Sequence, residues 1–193
     1  MRVITGTARG RRLKEPQGMD IRPTTDKVKE SMFSILQFDI EGRRVLDLFG
    51  GTGQLGIEAL SRGASEVVFV DKSAAALKLI RENLELCGLS DRARVRNGDS
   101  LAYLRSGEKF DLVFLDPPYD TGLLEQALQD IAGFDICREH GIINEEKQKV
   151  QPKKRESPAD AVLPPLAAPY RLYREYRYGR IKLTVYHRQG NEE

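Results

Sequence analysis

The period of the apolar positions changes along this chain, and the changes mark its elements. Val28, Met32, Ile35 and Leu36 recur at helical spacing and predict a helix running to about Phe38. From Arg44 to Glu145, short apolar runs alternate with longer stretches of helical period. The runs Val45-Leu46-Asp47-Leu48, Glu66-Val67-Val68-Phe69-Val70, Ala93-Arg94-Val95-Arg96, Phe110-Asp111-Leu112-Val113-Phe114-Leu115 and Gly141-Ile142-Ile143-Asn144 read as strands. Leu55 to Arg62, Ser73 to Leu86 and Leu123 to Ile131 read as the helices between them. Such alternation predicts a doubly wound α/β fold with a mostly parallel sheet. Tyr170 to Tyr178 and Gly179 to His187 alternate polar and apolar residues about a turn near Gly179, an antiparallel hairpin at the edge of the sheet. Thr24 or Thr25 is the expected N-cap of the first helix.

A length of 193 residues suits one domain, taken as residues 23–193, with a basic N-terminal extension over residues 1–22. Residues 146–169, charged and then rich in Pro and Ala, read as a mobile loop. Hydrophobic residues make up 40% and charged residues 31%, which fits a soluble globular chain. No apolar run approaches the length of a membrane span, and Met1 to Gly6 carries no secretory core, so a cytoplasmic protein is expected. Cys87, Cys137, His140 and His187 stand apart from one another and match no zinc spacing. They read as structural, and no metal is expected.

Net charge is only +2, but its distribution is uneven. Arg2, Arg9, Arg11, Arg12, Lys14 and Arg22 meet only Glu15 and Asp20 across residues 1–22, and Gly6 and Gly10 punctuate them like an arginine-rich hairpin. A basic ribbon of that kind follows a phosphate backbone, so these six residues are the expected RNA contacts. Lys147 to Arg155 reads as a solvated face. A third basic run, Arg171, Arg174, Arg177, Arg180 and Lys182, gets no assignment of its own.

The candidate chemistry lies at the strand ends. Asp116-Pro117-Pro118-Tyr119 follows the fourth strand directly. The Asp116 carboxylate and the Pro117 carbonyl can accept from one exocyclic NH2, neither proline offers a competing N–H, and Tyr119 can lie on the ring that carries the amine. Upstream, Asp47, Phe49, Gly51 and Gly53 form a D-x-F-x-G-x-G turn between strand and helix. Gly51, Gly53 and Gly56 also match a dinucleotide fingerprint, with Asp71 about 20 residues on. Asp47 separates the two ligands that fit: its carboxylate would repel a pyrophosphate but accept from an ammonium, which favours S-adenosylmethionine over NAD. Asp71 is placed to take ribose hydroxyls and Asp99 an adenine amine. Asp47, Asp71, Asp99 and Asp116 each end a strand, and in an open parallel sheet ligands bind outside those carboxyl ends.

With these segments in view, the chain resembles the bacterial 16S ribosomal RNA guanine-N2 methyltransferases. The resemblance rests on Arg2-Val3-Ile4-Thr5-Gly6, Arg9 to Leu13, Arg22-Pro23-Thr24 with Asp26, Val45 to Phe49 with Gly51 and Gly53, Leu55 to Ala64, and Phe110 to Tyr119. It covers about residues 1–145 well and the terminal hairpin loosely. It implies a seven-stranded, Rossmann-like class I methyltransferase sheet, S-adenosyl-L-methionine as cofactor, and 16S RNA or the small ribosomal subunit as partner. A monomer is adequate for such a site. By position, Asp47, Gly51 and Gly53 would hold the methionine part of the cofactor, Asp71 the ribose and Asp99 the adenine. Asp116, Pro117 and Tyr119 would handle the guanine. The Lys- and Pro-rich stretch after Glu146 departs from the family's usual short helix. Other enzymes share parts of the pattern, among them DNA adenine-N6 and protein-glutamine methyltransferases and NAD-dependent oxidoreductases. A non-catalytic RNA-binding assembly factor is a fourth alternative.

Overall fold

The computed structural model of the chain describes residues 1–16, 26–118, 121–148, 165–178 and 181–190. Seven strands form one sheet in the order β3-β2-β1-β4-β5-β7-β6. They are β1 (Arg44–Asp47), β2 (Glu66–Asp71), β3 (Ala93–Asn97), β4 (Phe110–Leu115), β5 (Cys137–Gln148), β6 (Tyr170–Tyr178) and β7 (Ile181–Arg188). The first five run parallel. β7 lies antiparallel to β5, and β6 pairs antiparallel with β7 at the outer edge. The helices are α1 (Asp26–Ile35), α2 (Gln54–Ser61), α3 (Ala74–Cys87), α4 (Ser100–Tyr103) and α5 (Leu123–Gly133).

The predicted alternation is therefore present, with shifted boundaries. α1 stops at Ile35, and the chain then turns, with Asp39 N donating to Leu36 O and Phe38 left 88% exposed. β5 extends well beyond Gly141 to Asn144, because pairing with β7 continues to Gln148. The hairpin tip near Gly179, Thr24 and Thr25, Arg22, Tyr119 and most of residues 146–169 lie outside the described residues.

Two apolar clusters fill the two sides of the sheet. One joins Val45, Val67, Phe69, Phe114, Leu183 and Val185 to α1, α2, α3 and the N-terminal residues Val3, Ala8 and Leu13. The other joins Leu46, Val68, Val113 and Ile143 to α5 and Tyr170. All eight residues of α2 are buried. One side lies on the sheet, where a Cβ on Gly56 would come within 2.3 Å of the Phe69 ring. The other side is covered by the N-terminal segment.

That segment is a small hairpin, bridged antiparallel between Arg2 and Arg12 and closed by Val3 N to Arg11 O at 2.9 Å. It docks through its backbone. Ile4 N and Thr5 N donate to the Glu58 carboxylate at 2.8 and 3.0 Å. Thr7 N donates to Ser61 O at 2.8 Å, and Ala8 N to Ser61 Oγ at 2.9 Å. Gly6 has φ +87 and lies so close to α2 that a Cβ would fall 1.8 Å from Ser61 O. Only glycine meets both conditions. Glu58 also accepts from Arg62 Nε at 2.8 Å and lies 3.6 Å from the Lys29 ammonium, while Lys29 and Glu58 are both fully buried. Lys29 in turn donates to Arg2 O. Burial pulls the Lys29 pKa down, and the neighbouring Glu58 opposes that shift.

Candidate active site

Parallel strands carry their C-terminal ends to one edge of the sheet, and the predicted acids gather there. β1 ends in Asp47, only 2% exposed, and its Oδ2 accepts from Gly56 N at 3.0 Å. This single bond does not replace the water lost on burial. Burial raises the Asp47 carboxyl to about 8; the Gly56 bond opposes the rise, and the charges of Asp116 and Asp71 add to it. Asp116 and Asp71 thus both act on Asp47 across the end of the sheet.

The glycine turn between β1 and α2 is held by side chains around it. Gly51 N donates to Asp71 Oδ2 at 2.9 Å, and Gly53 N closes on Gly50 O at 2.7 Å. Gly51 and Gly53 have positive φ, +53 and +78, and Gly53 caps α2. Asp71 spends its other oxygen on Ser73 N at 2.8 Å. It therefore fixes the turn and the start of α3. Asp99 is the N-cap of α4, accepting from Ala102 N at 2.8 Å, and stays exposed. Phe49 is half-buried against the second cluster. Beyond β4, Asp116 is half-buried, Pro117 buried and Pro118 exposed, and Thr121 Oγ1 donates to Pro118 O at 2.8 Å. Tyr119 falls outside the described residues. The guanidinium and ammonium groups of Arg2, Arg9, Arg11, Arg12 and Lys14 belong to exposed residues on the docked hairpin. Arg2 pairs with Asp26 at 3.1 Å and Lys14 with Glu82 at 2.8 Å. Arg22 is not described.

The residues present fit an adenosine ligand with a cationic tail better than a dinucleotide. Asp47 is buried beside the turn, and Asp116 and Asp71 lie close enough to raise its pKa. A pyrophosphate would add negative charge beside Asp71 and Asp116 and drive the Asp47 carboxyl higher still, whereas an ammonium or a sulfonium would oppose that rise.

Sequence reasoning missed the residues that fasten this site from behind. Asn83, fully buried on α3, accepts from Lys14 N at 2.7 Å and donates to Lys14 O at 3.2 Å and Thr52 O at 3.1 Å. It ties the basic hairpin to the glycine turn. Ser100 Oγ, also buried, donates to Leu48 O. The available signal was a polar residue inside an apolar helical period. Such residues are common on solvated faces, so the position only becomes telling once α3 is packed. Among the described residues, no group of three or more His, Cys, Asp or Glu could hold a metal ion, and no helix is long and apolar enough to cross a membrane.

Comparison with known proteins gives consistent matches. A family model described as conserved hypothetical protein 95 matches residues 1–187. Ribosomal RNA small subunit methyltransferase D of Escherichia coli K12 is 32% identical, over 100% of this chain and 92% of its own length. YlbH of Bacillus subtilis 168, provisionally named an rRNA methyltransferase, is 37% identical over 98% of this chain and 100% of its own. The solved structure of yhhF from Escherichia coli, provisionally assigned as a methyltransferase, is similar with a TM-score of 0.84 and 33% identity, covering 98% of each chain.

Proposed function

The chain belongs to the conserved hypothetical protein 95 family, and from that membership we propose that it methylates small-subunit ribosomal RNA at the exocyclic N2 of a guanine, using S-adenosylmethionine. The observation that carries the site assignment is the meeting of Asp47, Asp71 and Asp116 at one end of the parallel strands, beside a glycine turn. The cofactor supplies an activated methyl group on a sulfonium. Asp47 and the glycine turn would hold its amino-acid end, Asp71 its ribose and Asp99 its adenine. The choice of guanine N2 follows the resemblance of the N-terminal and Asp-Pro-Pro-Tyr segments.

Guanine N2 is a poor nucleophile because its lone pair is delocalised into the ring. Asp116 and the Pro117 carbonyl would accept both amino hydrogens, which favours a pyramidal nitrogen as the methyl arrives. Positive charge develops on N2 in that step, and the Asp116 carboxylate stabilises it more in the transition state than in the ground state. The clamp cannot reach a paired base, so the guanine must be unstacked or already exposed. Tyr119, by its place in the sequence, is assigned to stack on it. The basic hairpin would hold the backbone of the same RNA, in a cytoplasmic monomer.

The test is direct. The protein is incubated with labelled S-adenosylmethionine and small ribosomal subunits, free small-subunit RNA or duplex DNA, and the digested products are identified by mass spectrometry. N2-methylguanosine in RNA is the expected product. N6-methyladenine in DNA would overturn the substrate, and absence of label in all three would overturn the activity.

The buried acid gives a second test, of the cofactor assignment alone. Folding raises the Asp47 carboxyl from the ordinary 3.8 to about 8, so the folded chain holds a proton that the unfolded chain gives up. The site therefore opposes folding increasingly as pH rises from about 4, and this cost levels off above about 8. An ammonium brought beside Asp47 favours the carboxylate and expels that proton. Binding of S-adenosylhomocysteine at pH 7 is expected to release protons, seen as a calorimetric heat that varies with the ionisation enthalpy of the buffer. A buffer-independent heat would mean that Asp47 does not meet the ammonium.

A further inference from the structure

The outer strand β6 carries a largely exposed pattern that the site described above does not use, with Tyr176 half-buried against the first apolar cluster. Tyr173 and Leu172 are each 55% exposed, and Arg171, Arg174, Glu175 and Arg177 are exposed beside them. The register of β6 against β7 shifts between Leu172 and Arg174, and this bulge sets Tyr173 outside the regular pairing. Its ring stacks on His187, centroids 4.2 Å apart and 10° from parallel. The Arg174 guanidinium lies 5.6 Å from the centre of the Tyr173 ring and 5.9 Å from that of Tyr176. An interleaved row of rings and guanidinium groups on a sheet face suits a single-stranded nucleic acid, with bases stacking on the rings and phosphates pairing with the cations.

The register shows where this row lies relative to the clamp. Asp47 pairs with Phe114, Phe114 with Asn144, Asn144 with Val185 and Val185 with Arg174. Paired residues point to the same face, so Arg174 shares a face with Asp47 and Phe114. Two residues further along, the next row on that face pairs Glu146 with Leu183 and Leu183 with Tyr176, while Asp116 directly follows Leu115, the last residue of β4, which pairs with Glu145. The end of β4, which Asp116 follows, and β6 are three strand spacings apart, or about 14 Å at roughly 4.8 Å per strand. The basic hairpin packs on the same face, in the cluster that holds Val185 and Leu183. At the other end of the strand pair, Arg188 forks onto Asp135 at 2.7 and 2.9 Å, and Tyr170 donates to Asp135 at 3.1 Å. The strand pair is therefore anchored to the body of the fold.

We propose that Tyr173, Arg174 and Tyr176, backed by His187, form a second RNA contact that holds unpaired nucleotides flanking the target guanine on the side away from the basic hairpin. This rests on RNA being the substrate. The hairpin grips backbone on one side of the clamp, the β6 row stacks bases on the other, and the base between them is presented to Asp116.

The experiment compares wild type with Tyr173→Ala, Tyr173→Phe and Arg174→Ala for binding to free small-subunit RNA and to small ribosomal subunits at several salt concentrations. Tyr173→Ala is expected to weaken RNA binding about tenfold or more, while Tyr173→Phe keeps the stacking face and stays near wild type. Arg174→Ala should reduce the steepness of the salt dependence by about 0.7 for one lost phosphate contact on a single strand. Thermal unfolding should move only slightly, through the lost stacking on His187, and S-adenosylhomocysteine affinity should not move, because these side chains are on β6, away from the glycine turn. RNA affinity unchanged in both alanine variants would overturn the platform and leave the enzyme assignment intact. The same is true if Tyr173→Ala only turns a dimer into a monomer in sedimentation, which would make β6 a contact between copies of the chain. Wild-type protein that binds neither RNA substrate would overturn both.

Discussion

Asp116→Ala is expected to slow methyl transfer about 10²–10³-fold, the loss seen when one preorganised group facing a developing charge is removed. S-adenosylhomocysteine binding should persist in the same variant. Asp116 follows β4, whereas the glycine turn is built from β1, α2 and the Asp71 carboxylate. The substitution also removes one of the two acidic neighbours that raise the Asp47 carboxyl, so the proton released on cofactor binding should shrink with it. Single-turnover rates with saturating RNA, alongside calorimetry with the cofactor product, separate the two effects. Parallel loss of rate and cofactor affinity would place Asp116 in the cofactor site rather than against the base.

Glu58→Ala should cost more stability than any substitution among the surface acids, about 3–5 kcal/mol for a buried charge pair broken on one side. Glu58 receives Ile4 N, Thr5 N and Arg62 Nε, and its loss leaves the buried Lys29 ammonium with the Arg2 carbonyl and the more distant charge of Asp26. For a domain of this size the melting temperature should fall by roughly 6–20 °C. Pairing the change with Lys29→Met removes the stranded charge and should recover a large part of the loss. A double variant no more stable than Glu58→Ala would mean that the cost lies in the unpaired hairpin amides and not in Lys29.

The sequence made the parallel strands legible because Val45 to Leu48, Glu66 to Val70 and Phe110 to Leu115 are apolar on both faces, as strands covered on both sides must be. The acids at the strand ends were legible as a series because each follows a strand, whereas their structural bonds, such as Asp71 to Gly51 N and Ser73 N, were not. β5 was read too short because Glu145 to Gln148 are polar, and only pairing with β7 shows that the strand continues. Glu58 and Lys29 were illegible as a buried pair, since charged residues in helices usually face water. They become interior only because the N-terminal hairpin covers α2, a contact between residues more than fifty positions apart. Asn83 was hidden for the same reason: its partners are Lys14 and Thr52, far from it in the chain.

The docking of the hairpin also sets an order of events during synthesis. Its bonds to Glu58 span 53 and 54 residues, and its bond to Asn83 spans 69. Pairings of such long range form late, after the local elements that bury them. Residues 1–16 are made before the elements that hold them and are therefore among the last of this face to settle. Until α2 and α3 have been made, the arginines proposed to contact RNA have no surface on which to dock.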